Sequence, residues 1–183
     1  MTKKKSSVFQ DFVAPIAILV AICLVMSAAL AFTNSVTAPI IEETERATAE
    51  AARIAILPEA DAFELLEIDG LPECITAVYR ATNGAGYVFM ITHNGYGGKN
   101  TLSMICGMTA DGIIVGTDVL SHSETAGIGT KVLDESFSGQ FVGKDAALEG
   151  VDTITGATIS SSNYLDAIEN CFVAYDLVKE AGE

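Results

Sequence analysis

The 183 residues are enough for one compact domain and an anchor, and too few for two full domains. Against 10 Lys and Arg stand 24 Asp and Glu, a net charge of −14, which argues against nucleic acid as a partner and against tight adhesion to anionic lipid. None of the four cysteines forms a CxxC pair. That excludes the usual cysteine-rich iron–sulfur runs, CxxCH haem attachment and the common structural zinc layouts.

The chain begins with a short polar segment, residues 1–12, containing Lys3, Lys4 and Lys5. Residues 13–33 follow as a predicted transmembrane helix, since a span of about 20 apolar residues matches the hydrocarbon thickness. Only Pro15 and Ser27 depart from apolar character between Val13 and Phe32, and Pro15 falls in the first turn, where it does least harm. The positive-inside rule keeps the lysines in the cytoplasm and sends everything after Thr33 outside. A cleaved signal peptide is the alternative, with Ala29-Leu30-Ala31 as its cleavage site. A lipoprotein is disfavoured, because Cys23 lies deep in the apolar run behind Ile22.

Residues 34–58 are read as a helical stalk that continues the transmembrane helix into the domain. From Thr37 to Leu57, Ile40, Ile41, Thr44, Ala47, Ala51 and Ile54 recur at helical spacing. Pro39 is placed in its first turn, with Pro58 just beyond its end. The remaining 59–183 form the exported domain. Four strands are predicted in it: Cys74–Ala81, Gly86–His93, Leu102–Thr109 and Ile113–Leu120. Asn83-Gly84-Ala85-Gly86 is a turn, and Asp111-Gly112 between apolar runs is a strong hairpin signal. Ser160–Ala181 reads as an amphipathic helix, with Tyr164, Ile168, Cys171, Phe172, Tyr175 and Val178 on one face and Asp166, Glu169 and Asp176 elsewhere. The expectation is an α+β fold: an antiparallel sheet packed with helices, preceded by one N-terminal transmembrane helix. Cys74, Cys106 and Cys171 fall in the exported part, an odd number allowing at most one disulfide and one free thiol. His93 and His122 are read as polar surface residues.

The segment Asp152-Thr153-Ile154-Thr155-Gly156-Ala157-Thr158-Ile159-Ser160-Ser161-Ser162 carries the chemistry. It is a loop entering a helix N-terminus, where Thr158 or a serine can cap the first turn and a phosphate would find free N–H groups. Gly156 and Ala157 leave the next hydroxyl accessible. Asp152–Thr158 also resembles the flavinylation motif of FMN-binding domain proteins, in which an Asp is followed by Ser/Thr-Gly-Ala-Thr. In that family a flavin transferase splits FAD and esterifies the FMN phosphate onto the final Thr. Carried over, the resemblance makes Thr158 the acceptor, with Asp152, Thr155, Gly156 and Ala157 the rest of the motif.

A second stretch strengthens the resemblance. Gly95-Tyr96-Gly97-Gly98 and then Glu124-Thr125-Ala126-Gly127-Ile128-Gly129 stand in family order, the latter similar to a Glu-Thr-Pro-Gly-Leu-Gly loop near the flavin. Ala126 replaces the usual Pro, which frees the loop backbone, and Ile128 the usual Leu. The resemblance implies that Glu124 and Thr125 hydrogen-bond the ribityl chain or ring edge. It implies that Gly127 and Gly129 permit close approach and that Ile128 borders the site. Tyr96 reads equally as a flavin neighbour or a packing residue.

No dyad or triad accompanies the acceptor, so the flavinylating chemistry is expected in trans and the chain is expected to carry electrons rather than to catalyse alone. In size and layout it is similar to the G-subunit family of Rnf-type complexes, which couple ferredoxin oxidation by NAD+ to ion translocation. The longer C subunits of sodium-translocating NADH:quinone reductases share both motifs. The resemblance therefore implies covalent FMN, a membrane location and contact with other subunits of a redox complex. The alternatives are a stand-alone anchored flavoprotein for extracellular electron transfer, and a non-redox exported binding domain in which Thr158 only caps a helix.

Overall fold

The computed structural model describes residues 13–181. Its contacts divide the chain into two units, with the boundary between Ala47 and Thr48. Helix α1 runs unbroken over Ala14–Ile56, and among the described residues it is the one helix long and apolar enough to cross a membrane. The helix read from Thr37 is a continuation of the apolar segment, with no break between them. Pro39 lies inside α1 rather than in a first turn, so the flanking helix bridges the one backbone hydrogen bond that proline removes. The N-terminal lysines lie outside the described residues.

In the second unit five consecutive strands form one antiparallel sheet in the order β1-β2-β3-β4-β5: Phe63–Leu66, Ile75–Ala81, Gly86–Gly95, Gly98–Thr109 and Ile114–His122. The α+β class is as the pattern predicted. Strand β1 was missed, because Phe-Glu-Leu-Leu is short and does not alternate. The 3-10 turns Gly129–Leu133 and Gly139–Phe141 and the short helix α2, Glu135–Ser138, were missed as well.

Period-two geometry sorts the strand residues between two faces. On β4, Leu102, Met104, Cys106 and Met108 point into the main core, and Ile105 into a smaller cluster on the other face. β3 divides likewise, with Phe89 and Ile91 on one side and Val88 on the other. A register shift between Ile75 and Ala77 brings Ile75 and Val78 to the same face despite their odd spacing. The main core is closed by α3, Thr158–Ala181, whose six predicted inward residues are all buried. The second face takes Ala52, Ile56 and Leu57 from the end of α1 and the residue after it. Gly107 makes this possible, since a Cβ there would stand 2.3 Å from Ile56 Cγ2. At the β4–β5 turn, Gly112 has φ 79° and leaves room for the Tyr175 ring, whose hydroxyl donates to the Ala110 carbonyl at 2.7 Å.

All four cysteines are free. Cys106 and Cys171 are fully buried core residues, and Cys74 packs against the same cluster. His93 is less of a surface residue than expected: its Nε2 lies 2.9 Å from Asp166 Oδ2, with a side chain only 11% exposed.

Burial, then the neighbouring Cys106, pushes the Cys171 thiol well up, and burial pushes the Tyr164 phenol up against the opposing effect of the hydrogen bond it donates to Thr117. The unfolded chain therefore gives up these protons first as pH rises. Their contribution to stability is complete below the unfolded thiol value of about 8.5 and is lost as pH climbs toward the folded values. The urea midpoint is expected to hold steady from about pH 7 to 8 and to fall above about pH 9, less steeply in Cys171→Ala. A midpoint unchanged up to about pH 10 would contradict this.

Candidate functional site around Thr158

The motif segment is shaped by a tight turn. The Ala157 N–H donates to the Ile154 carbonyl at 3.0 Å, and Gly156, third in that turn, has φ 85°, a conformation that suits glycine. The turn buries Ala157 and leaves Thr158 exposed as the first residue of α3. Helix α3 thus starts two residues earlier than the pattern suggested. Thr158 is inside the helix, and among the described residues nothing hydrogen-bonds its hydroxyl. Ser160 and Ser161 are occupied instead. Ser161 Oγ accepts the Ile154 N–H at 3.1 Å and donates to the Ala157 carbonyl at 3.0 Å, fastening the turn to the helix. Ser160 Oγ donates to Glu124 Oε2 at 2.5 Å.

Thr158 opens onto a cleft of about 370 Å³ lined by Tyr96, Thr125, Ile128, Gly129, Gly156, Ala157, Thr158, Ile159 and Ser160. Three walls meet there: the β3–β4 turn through Tyr96, the loop after β5, and the first turn of α3. Among the described residues the N–H groups of Thr158, Ile159 and Ser160 have no acceptor, as the opening turn of a helix requires. The cleft therefore joins apolar walls, a free hydroxyl and free amide donors, a combination that fits a planar ring bearing a phosphate.

Of the residues singled out from sequence, Thr158, Gly156, Ala157, Thr125 and Ile128 line this cleft together. Asp152 does not: it lines a separate cleft with Lys131, Asp134 and Gln140. Its backbone N–H donates to Gln140 Oε1 at 2.9 Å, which fixes the start of the motif. Thr155 is an exposed turn residue outside both clefts. Gly127, at φ 75°, faces open space and donates its N–H to Thr130 Oγ1 at 2.9 Å, so it serves the turn of the loop. Glu124 is 9% exposed and stands behind the wall, its Oε1 accepting the Tyr96 N–H at 2.9 Å. Gly129 makes space for that carboxylate, because a Cβ there would lie 2.3 Å from Glu124 Oε2. Ile159 and Ser160 joined the wall unannounced by the sequence, and Tyr96, left open there, is 62% exposed on its rim.

Residues 95–173 match the FMN-binding domain family, a stretch that contains every wall of the cleft. The G subunit of the ion-translocating oxidoreductase complex of Methanosarcina acetivorans is 31% identical over 165 residues, covering 83% of this chain and 88% of that protein. The G subunit of the Na(+)-translocating ferredoxin:NAD(+) oxidoreductase complex of Acetobacterium woodii is 35% identical over 166 residues, covering 82% and 78%. The proton-translocating counterpart of Clostridium ljungdahlii is 26% identical over 149 residues, covering 76% and 78%. With its motifs, its cleft and relatives of this identity along most of their length, the chain belongs to the family of FMN-binding G subunits of ion-translocating oxidoreductase complexes.

Proposed function

We propose that this chain is the membrane-anchored, electron-carrying subunit of an Rnf-type redox-driven ion pump, with FMN joined by a phosphoester to Thr158. The observation that carries the proposal is the Thr158 hydroxyl, exposed, without a hydrogen-bond partner among the described residues, and set at the lip of a cleft in the FMN-binding domain. In the attachment step Thr158 Oγ1 forms a bond to the FMN phosphorus of FAD while the pyrophosphate link breaks. AMP leaves, and the hydroxyl proton passes to a base of the flavin transferase. Asp152 and Thr155, which lie outside the cleft, belong to the segment that this enzyme reads. Thr125, Ile128, Gly156 and Ala157 border the flavin, Gly127 shapes the loop, and Glu124 supports the wall. Bound there, FMN supplies one- and two-electron redox chemistry. The side chains themselves shield and orient the ring, and the free N–H groups of α3 favour its phosphate.

The anchor in this reading is residues 13–33, with residues 1–12 cytoplasmic, residues 34–58 as the connection and 59–183 outside. Relatives are named for different coupling ions, sodium in one and protons in another. The test is intact mass and in-gel flavin fluorescence after denaturation, on the full chain made together with an active flavin transferase. A mass gain of FMN less water, mapped to the peptide containing Thr158, is expected. An unmodified chain beside a transferase proven on another target would overturn the covalent reading.

A further inference from the structure

Among the described residues Glu124 is the one buried acidic side chain. Both of its oxygens act as acceptors, the role of an ionised carboxylate, toward the Tyr96 N–H and the Ser160 hydroxyl. No cation pairs with it among the described residues. Two glycines make room for it. A Cβ on Gly95 would stand 2.4 Å from Oε1, and one on Gly129 would stand 2.3 Å from Oε2.

A buried, unpaired carboxylate is a costly way to hold three segments together, since a neutral amide of the same shape meets the same donors and acceptors with less desolvation. Its location suggests what the charge does. Tyr96, Gly129 and Ser160 line the cleft, and each also abuts Glu124, while Thr125 is its neighbour in the chain. The carboxylate is therefore one layer behind the surface against which the flavin rests in the function proposed above.

We propose that Glu124 is a positioning residue that locks the three walls of the cleft and holds a fixed negative charge behind them, lowering the reduction potential of the flavin. A flavin that takes up electrons becomes more negative, and a fixed carboxylate nearby disfavours that form, more strongly where water is excluded. The inference rests on FMN occupying this cleft. The positioning half concerns the polypeptide alone and holds in the flavin-free chain.

The experiment uses the full chain in detergent, with and without FMN, as wild type, Glu124→Gln, Glu124→Ala and Ser160→Ala. Two quantities are read: the flavin midpoint potential and the hydrogen-exchange protection of the Tyr96 amide in the flavin-free chain. Gln keeps an acceptor for Tyr96 and can donate to Ser160 Oγ. E124Q is therefore expected to keep Tyr96 protection within about twofold and to shift the potential positive. E124A is expected to cut that protection by about tenfold or more, the loss of a hydrogen bond to a charged group. Ser160→Ala retains the charge and gives up one bond, so its potential is expected to stay or move negative. It also supplies the positioning readout should E124A fail to fold, through a smaller loss of Tyr96 protection. An unchanged potential in E124Q, or a positive shift in S160A equal to that of E124Q, would overturn the electrostatic role. Unchanged Tyr96 protection in E124A, or in S160A where E124A does not fold, would overturn the positioning role. A wild type that takes up no FMN is instead a failure of the covalent-flavin reading, recognised by its mass, and leaves the exchange measurement able to decide the positioning role.

Discussion

A Thr158→Val chain made beside an active flavin transferase is expected to carry no covalent FMN and to be as stable as the wild type. Valine keeps the β-branched shape and removes only the nucleophilic oxygen. That oxygen bonds nothing among the described residues, and the side chain is exposed in the first turn of α3. A substitution of that kind changes stability by roughly 0.5 kcal/mol or less, about 1–2 °C in melting temperature for a chain of this size. Thr158→Ser keeps a hydroxyl and is expected to be modified. Intact mass and thermal denaturation, run side by side, separate the outcomes. FMN retained on the valine chain at unchanged stoichiometry would move the attachment to another hydroxyl. Loss of FMN together with a large drop in melting temperature would mean that Thr158 had a structural role the geometry does not suggest.

Tyr164→Ala carries the largest expected cost in stability. Tyr164 heads the largest fully buried side chains, with its ring centroid 5.2 Å from both Phe137 and Phe141. Its hydroxyl donates to Thr117 Oγ1 at 2.7 Å. Truncating such an aromatic costs about 3–5 kcal/mol, against a total stability of about 5–15 kcal/mol for a typical domain. The expected fall in melting temperature is roughly 6–20 °C. Tyr164→Phe retains the ring and loses one hydrogen bond, for about 1 kcal/mol. The cluster ties residues 129–141 to α3, and these two segments bring Gly129 and Thr158 to the cleft. FMN incorporation at 37 °C is therefore expected to fall with stability in Tyr164→Ala and to be spared in Tyr164→Phe. Urea unfolding of the alanine variant at the wild-type midpoint would remove the aromatic cluster from its supporting role.

The sheet and α3 were legible because their physics is local. Alternating apolar residues, the Asp111-Gly112 turn and six inward positions on one helix face each declare themselves within a few residues. β1 was illegible for the opposite reason: four residues without alternation gain a partner only when Phe63–Leu66 meets Val78–Ala81 across the sheet. The site divides the same way. Thr158 and its motif could be read from a contiguous string and a family resemblance. The burial of Glu124 could not, since its partners Tyr96 and Ser160 lie 28 and 36 residues away. A glutamate in a glycine-rich loop reads as solvated until those partners arrive. The free cysteines were equally out of reach, because parity limits the number of possible disulfides without saying that any forms.

The arrangement of α3 has a consequence in time. The strands pair with their sequence neighbours, by contacts that close short loops and are expected to form early. The helix that completes the core is also the one that begins at Thr158, and its docking brings Ser160 to Glu124 across the longest of the loops that frame the cleft. By loop-closure entropy the acceptor is expected to be the last part of its pocket to acquire surroundings. A chain modified before that docking would carry its flavin through the final folding step as a tethered passenger. One modified afterwards would present a hydroxyl already seated at the edge of a finished pocket.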